Sequence, residues 1–572
     1  MTIIRRIVRR PAVVPAGEWP DQVPMLLRRL YATRGASDFE SARPKLARLH
    51  APDSLGGMDA ATALLRDAIA QDRHIVVVGD FDCDGATACA VGVRGLRLLG
   101  AKRVSHAVPN RAVHGYGLSP GLVDDLATLQ PDLLVTVDHG IACHAGVAAA
   151  RARGWQVLVT DHHLPGETLP DAHAIVDPNL RGDGFPSKAL AGVGVMFYVL
   201  LALRARLRAE GAAADADLST LLDLVAVGTI ADLVPLDANN RALAGAGLRR
   251  LRAGQGCAGL QALIEASGRD VRTLTAADIG YALAPRINAA GRLEDMAVGI
   301  ECLLTDDASH ARHLATVLGE INAERKGVQQ QMTDEAEAAL ARVALDGALP
   351  PVLCLFDPDW HPGVVGLVAS RMKDRVHRPV VAFAPAEPGS DALRGSARSI
   401  PGLHIRDALA AVDTALPGMI PRFGGHAMAA GLSLPHGALA GFAEALRTHV
   451  ERVLDPALLH AELVSDGMLE AHEFDRANAE CLRDGGPWGQ AFPEPVFDGL
   501  FDVIGHRVIG ERHLKLSLRI EGRPRPVDAI HFNGWTGRAP PSRVHLAYRL
   551  AVDDYRGGDA IQLVVEHLDG AA

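Results

Sequence analysis

The sequence predicts an α/β protein in four parts: a parallel-sheet domain, a long helical connector, a second α/β domain and a small C-terminal β-barrel. Three observations predict it. Apolar strand-like runs alternate with helical stretches from His74 to Asn179, a pattern that demands a parallel sheet with covered faces. The alternation restarts at Val352, after a helical region over 276–343. Glu511–Glu521 then alternates strictly, with Leu514, Leu516, Leu518 and Ile520 on one face and His513, Lys515, Ser517 and Arg519 on the other.

A length of 572 residues suggests about three or four domains. We place an N-terminal arm at 1–60, the first α/β domain at 61–240, the connector at 241–345, the second α/β domain at 346–458 and the barrel at 459–572. The arm, rich in Arg and Pro and without a long periodic element, is expected to wrap onto a later domain. At 48% hydrophobic and 22% charged residues the chain is an ordinary globular protein. Its longest apolar run, Ala189–Leu203, is too short to span a bilayer and reads as a buried helix. Met1–Arg10 is basic without the apolar core of a signal peptide, so the expected compartment is the cytoplasm and no membrane is involved. The 7 cysteines form no CxxC pair, which argues against a zinc knuckle or a disulfide framework and suits a reducing compartment. A net charge of −10 excludes a surface that is basic all over, but not local nucleic-acid binding.

Strands read at 75–79, 103–108, 132–137, 155–160 and 174–177, with helices near 86–99, 119–129 and 141–153. Gly100 and Gly154 stop two of these helices. Each strand ends in polar chemistry: Asp80, Asp82 and Asp84, then Asn110-Arg111, Asp138-His139-Gly140, Asp161-His162-His163 and Asp177-Pro178-Asn179. On an extended backbone the first three aspartates leave the same side. Like charges that close repel unless a cation separates them, and no Lys or Arg occurs between His74 and Val93. A divalent ion or a solvated acidic loop would answer this, and a lone strand-end Asp is more often a turn or a helix cap. Several acid and histidine clusters on the carboxyl edge of one sheet, where α/β sites form, favour the ion.

Neighbours on an extended backbone point apart, so His162 and His163 are expected to divide their work. One ligates metal and the other faces substrate, with Asp161 orienting an imidazole; the alternative is that one is structural. In the helix Leu218–Asp232, Asp223 reads as a polar-face residue. Asp232 stands at the C-terminal end, where the helix dipole disfavours an anion and an external cation would compensate.

The second α/β domain holds Asp359–Gly366, with Pro362 in a first helical turn. It also holds Gly395-Ser396-Ala397-Arg398-Ser399 and Arg422–His426, which mix glycine with cationic or hydroxyl side chains as phosphate sites do. A glycine turn beside a surface Arg is the commoner explanation of either alone. The polar face of the barrel strand suits single-stranded nucleic acid, or is an ordinary solvated face.

Together Asp80-x-Asp82-x-Asp84-Gly, Val137-Asp138-x-Gly140, Asp161-His162-His163 and Ala231-Asp232 resemble the DHH phosphoesterase superfamily. The stretches WHPGVVGLVASR from Trp360, GSARSIPGLHIRDAL from Gly395, RFGGHAMAAG from Arg422 and GERHLKL from Gly510 are similar to its single-stranded-DNA-specific exonuclease branch. That branch carries DHHA1 and OB-type domains. The resemblance runs in consistent order from about residue 75 to the C-terminus.

It implies a two-metal, Mg²⁺- or Mn²⁺-dependent phosphodiesterase degrading single-stranded DNA 5′ to 3′, in recombination, recombinational repair and mismatch repair. By position it implies Asp82, Asp84, Asp138, His162 and Asp232 as metal ligands, with Asp138 bridging. Asp80 is a further ligand or a support for one. His163 would contact the scissile phosphate, beside Asp161. Arg371, Arg398, Gly425 and His426 would meet the DNA backbone, and Arg286, Arg292, Lys515 and Arg519 would add contacts. Arg111 with Ser396 and Arg398 resembles a 5′-phosphate pocket, and Tyr116 a base-stacking position. Val78 stands where other DHH branches have a ligand histidine, which leaves one ion's coordination open. The family also implies a single-strand-binding protein and a helicase as partners, and a monomer. Rivals are a DHH hydrolase of small substrates, such as an oligoribonuclease, a cyclic-dinucleotide phosphodiesterase or a pyrophosphatase, and a catalytically inactive nucleic-acid-binding protein.

Overall fold

Five strands form the first sheet. β1 (Ile75–Val78), β2 (Val104–Ala107), β3 (Leu133–Val137), β4 (Gln156–Thr160) and β5 (Ala174–Val176) are all parallel, in the order β2-β1-β3-β4-β5. The computed structural model describes residues 5–111, 113–212, 215–345, 349–387 and 389–570, with backbone alone over 341–345. Met1–Ile4, the start of the basic N-terminal segment, lie outside the described residues. β1 and β3 are buried along their whole length, as central parallel strands must be.

Helices α1 (Cys83–Leu98), α2 (Pro120–Leu126) and α3 (His144–Ala152) make the crossovers. Alternate residues of β1 serve two cores. Ile75 and Val77 join the one built with α1 and α4 (Gly192–Ala209), while Val76 and Val78 join the one under α2 and α3. α4 is the buried helix expected from the apolar run. α1 starts three residues earlier than expected because Asp82 caps it, its Oδ1 accepting the Gly85 N–H at 3.0 Å. α5 (Leu222–Ala231) ends at Asp232, as read. Asp223, expected on a polar face, is instead fully buried, and its Oδ2 accepts the Cys257 N–H at 2.6 Å.

The connector is also different from its reading. Leu260, Leu263, Ile287, Ile300, Leu303 and Leu318 are buried in the same core as β1, α1 and α4. Helix α6 (Ala284–Leu293) therefore belongs to the first domain, and α7 (Ala308–Leu345) is the long helix that follows. A helix covering an existing core carries the same one-sided apolar pattern as a free-standing amphipathic one, so periodicity does not separate them.

The chain divides into two units, one of Arg10–Asn322 with Asp466–Ala572 and another of Met1–Arg9 with Ala323–Ser465. In the latter, β6 (Leu353–Phe356), α8 (Val365–Val376), β7 (Val380–Pro385), β8 (Ala392–Arg398), β9 (Arg422–Gly425) and β10 (Ala429–Pro435) build a mixed sheet, ordered β9-β10-β8-β7-β6. Arg5–Arg9 pairs in parallel with Ala461–Ser465. Pro362 lies in the turn ahead of α8 rather than in its first turn.

In the former unit, β11 (Phe497–Ile509), β12 (His513–Arg519), β13 (Val527–His531), β14 (Arg543–Val552) and β15 (Ile561–Gly570) close a barrel, ordered β11-β12-β13-β15-β14. Leu514, Leu516 and Leu518 line its core, as their alternation predicts. The arm helix Met25–Thr33 buries Leu26, Leu27, Leu30 and Tyr31 in that core. Arg34 clasps Asp466 through two hydrogen bonds of 3.0 and 2.8 Å, both side chains being buried. Breaking such a pair from one side costs about 3–5 kcal/mol.

Candidate metal centre

The three aspartates after β1 do not stay on an extended backbone. The chain turns at Gly79-Asp80 into α1, so Asp82 becomes its N-cap and Asp84 enters its first turn. Asp84 is buried, and its two carboxylate oxygens accept the N–H groups of Gly192 at 2.6 Å and Val193 at 3.0 Å, in the first turn of α4. A helix N-terminus favours this anion. Asp138 follows β3 with φ of 65°, a left-handed conformation rare outside glycine, with its N–H on the Thr160 carbonyl at 3.1 Å. A Cβ on Gly192 would fall 2.5 Å from the Asp138 Cβ, so only glycine lets α4 approach this closely.

His162 joins the two sides. Its Nε2 lies 3.1 Å from Asp138 Oδ1 and 3.6 Å from Asp232 Oδ2. Three overlapping sets of side chains place ligand atoms within 4.8 Å of one another: Asp80, Asp82 and Asp138; Asp84, His162 and Asp232; and Asp138, His162 and His163. Burial, then repulsion from neighbouring carboxylates, pushes Asp80, Asp138 and Asp232 well above the usual carboxylate range, and Asp84 up to about 7. The donors, mostly carboxylate oxygens with one or two imidazoles, suit hard divalent cations such as Mg²⁺ and Mn²⁺. Asp138 Oδ1 is buried and accepts no hydrogen bond from the described residues, and a cation would satisfy it. The residues fit the group.

The two histidine rings do not point apart as the extended backbone predicts. Their rings lie 4.5 Å from each other, because Asp161 Oδ1 accepts both the His162 N–H at 2.7 Å and the His163 N–H at 3.1 Å and so curls the chain out of the strand. The same oxygen holds His163 Nδ1 at 2.7 Å. Burial opposes a charged His163, but the hydrogen bond and charge of Asp161, with Asp232 and Asp80, raise its pKa to about 9. The His162 carbonyl in turn accepts from Asn179 Nδ2 at 2.6 Å.

Val78 packs among the apolar side chains of the sheet, and Asp80 is the residue beside Asp82 and Asp138. His139, fully buried beneath the site, places Nε2 3.0 Å from the Val78 carbonyl, and burial lowers its pKa to about 4. Arg111 stacks its guanidinium on Phe81 at 4.8 Å. Phe81 meets Tyr116 edge-on at 5.8 Å, and Tyr116 meets His163 at 6.3 Å. These side chains form one rim of the site.

Other expected DNA contacts fall elsewhere. Arg286 donates to the carbonyls of Ala282 and Ala266, on the side of α6 opposite Asn288. Arg292 stands one turn beyond Asn288, on its face. Asn288 Oδ1 accepts the Cys83 N–H at 2.8 Å, and the Gly291 Cα packs against the Phe81 carbonyl. In the other unit, Arg398 donates to Ser396 Oγ at 3.0 Å, next to Gly366 at the start of α8. Arg371 is exposed on α8, while Gly425 (φ of 141°) and His426 are exposed in the β9–β10 hairpin. On the barrel, Lys515 is paired with Asp528 at 2.9 Å on the adjacent strand and is largely shielded, so the basic face is weaker than expected; Arg519 is exposed.

Sequence reasoning gave no role to Gly192, Asn179, Asn288 or His139. Asn179 and Asn288 lay in stretches already marked by their polar clusters, whereas Gly192 was hidden in an apolar run.

Residues 74–229 match the DHH family, N-terminal domain; residues 349–453 match the DHHA1 domain; and residues 465–567 match the RecJ OB domain. Site and matches together define a protein of the DHH phosphoesterase class. Over 577 residues the chain is 50% identical to the single-stranded-DNA-specific exonuclease RecJ of Dickeya dadantii, covering 99% of this chain and 100% of that one. It is 48% identical to RecJ of Escherichia coli, covering 98% of each. The crystal structure of RecJ from Thermus thermophilus in complex with Mn²⁺ superposes with a TM-score of 0.79 at 32% identity, covering 99% of this chain and 80% of that one. Its complex with Mg²⁺ gives 0.74 at 31%, covering 99% and 78%. The chain belongs to the RecJ family of single-stranded-DNA-specific exonucleases.

Proposed function

We propose that the protein is a metal-dependent exonuclease that degrades single-stranded DNA from the 5′ end by phosphodiester hydrolysis, serving recombination, recombinational repair and mismatch repair. The observation that carries this is the convergence of Asp80, Asp82, Asp84, Asp138, His162 and Asp232 on one strand edge, in a chain matching RecJ exonucleases along its whole length. Asp80, Asp82 and Asp138 would hold one Mg²⁺ or Mn²⁺, and Asp84, His162 and Asp232 a second, with Asp138 between them. Bound ions supply Lewis-acid charge at a phosphodiester and make water a nucleophile at neutral pH.

The chain's own residues do the rest. His163, kept charged by Asp161, donates to a non-bridging oxygen of the scissile phosphate. Arg111 offers a cation beside Phe81, and the Tyr116 ring offers a stacking face to the terminal base. The Ser396–Arg398 pair at the start of α8 suits a terminal phosphate. A closed barrel of the RecJ OB type supports a polymer substrate over a dinucleotide. The same reading carries a monomer in the cytoplasm, with a single-strand-binding protein and a helicase as partners. Supporting it are the family, and the finding that no described helix is long and apolar enough to cross a membrane.

The test is Asp138→Ala. Nuclease activity is expected to vanish while single-strand binding persists; loss of binding to the same extent would contradict a catalytic role.

A further inference from the structure

One proposed ion draws its ligands Asp84, His162 and Asp232 from three elements far apart in the chain: α1, the end of β4 and the end of α5. All three are tied to the stretch Lys188–Val193, which leads into and begins α4 in the same unit. Asp84 is fastened to it by the Gly192 and Val193 N–H groups. The other two are reached through asparagine amides that the catalytic reading leaves unused.

Asn179 Nδ2 donates to the His162 carbonyl at 2.6 Å and to the Lys188 carbonyl at 3.3 Å. Asn240, fully buried in the first turn of the helix Ala238–Arg252, does the same for the Asp232 segment. Its Nδ2 donates to the Ala189 carbonyl at 2.6 Å and to the Pro235 carbonyl at 2.9 Å. Ala189 stands three residues before Gly192, and Pro235 three residues after Asp232. Each amide directs both its hydrogens to carbonyls, which only accept, so a turned-over amide would set oxygen against oxygen. Asn240 Oδ1 is buried with no donor among the described residues, and the two bonds from Nδ2 therefore set the orientation of that side chain.

The other proposed ion has different support. Asp80 Oδ1 accepts the Phe81 N–H at 2.8 Å and Asp82 Oδ1 the Gly85 N–H at 3.0 Å, both within their own turn. The neighbouring asparagine also differs. Asn239 is 3% exposed, and its Oδ1 accepts from the Tyr198 hydroxyl at 2.7 Å and the His50 N–H at 3.3 Å, which ties α4 to the arm. Same residue type, same helical turn and similar burial make it a matched control for a role in packing alone.

We propose that Asn179 and Asn240 are positioning residues for the ion of Asp84, His162 and Asp232, fastening the His162 and Asp232 segments to the stretch that anchors Asp84. This rests on the two-ion reading and extends it by residues outside the ligand set. Partners that orient metal ligands commonly change metal affinity by about 10–100-fold.

The experiment titrates Mn²⁺ into the metal-stripped full chain by calorimetry and records melting temperatures in EDTA. The wild type is expected to bind two Mn²⁺. Asn179→Ala and Asn240→Ala are each expected to weaken one of them about tenfold or more and to leave the other unchanged. Asn239→Ala is expected to lower the melting temperature while keeping both affinities. With (dT)12 as substrate, raising Mn²⁺ is expected to return Asn179→Ala to the wild-type kcat, a rescue that a general loss of packing would not allow. Asn179 is only partly buried, so its variant decides the matter if Asn240→Ala fails to fold. Wild-type Mn²⁺ affinities in Asn179→Ala, an equal loss of affinity in Asn239→Ala, or a kcat that stays low at every Mn²⁺ concentration would each overturn the inference. If the wild type binds two Mn²⁺ and Asn179→Ala keeps both, the positioning role fails and the two-ion reading stands; if the wild type binds fewer than two, both fall.

Discussion

His163 Nδ1 lies 2.7 Å from the buried Oδ1 of Asp161, an oxygen that also accepts two backbone N–H groups. This contact keeps the imidazole protonated up to about pH 9. Asp161→Asn retains an acceptor for the backbone but removes the charge. The His163 pKa is then expected to fall towards or below the ordinary value for histidine, about 6.5. The charged form is lost as pH rises through the pKa, so the variant should lose activity on the alkaline side of its pH–rate profile at a lower pH than the wild type. Parallel profiles would refute the role of the pair.

Without metal the carboxylate cluster works against the fold. Asp84 rises from an ordinary 3.8 to about 7, so the native state holds a proton that the unfolded chain has released. The contribution of Asp84 to stability must therefore fall as pH rises between about 4 and 7, and level off above. Melting temperatures in EDTA are expected to decline across that window, and Mn²⁺ to reverse the decline. A melting temperature that rises with pH in EDTA would contradict the assignment.

Gly192 gives α4 its approach to Asp138. A methyl group there meets Asp138 Cβ at 2.5 Å, and overpacking of this kind costs about 1–3 kcal/mol. Gly192→Ala is expected to lower the melting temperature, and to reduce Mn²⁺ binding measured calorimetrically by far more than Gly184→Ala, where nothing lies within 4 Å.

Arg398 and Ser396 adjoin the start of α8. Arg398→Ala is expected to cost a 5′-phosphorylated oligonucleotide about tenfold or more in kcat/KM, and a 5′-hydroxyl one little, in keeping with about 1.5–3 kcal/mol for a hydrogen bond to a charged group. Equal losses would remove the pocket.

Much of this was legible in the order of residues. The five strands of the first sheet fall within one or two residues of their expected positions, because continuous apolar runs broken by Gly100 and Gly154 leave few alternatives. The acid and histidine clusters were legible for the same reason, each standing at a strand end. What could not be read was what one segment does for another far along the chain. Gly192 against Asp138, Asn288 on Cys83 and Asn179 on His162 depend on tertiary packing that no local pattern encodes. Lys515 looked like a free cation in its own strand and is neutralised by Asp528 from the next. The helices over 258–304 showed a one-sided pattern without showing which core they cover.

Polarity of degradation is the most direct test of the central claim. Single-stranded DNA labelled at only one end is incubated with the full chain and Mn²⁺, and release of the label is followed against total hydrolysis. Early release of a 5′ label, late release of a 3′ label and abolition by EDTA are predicted. Early release of the 3′ label, or hydrolysis that persists in EDTA, would contradict the account.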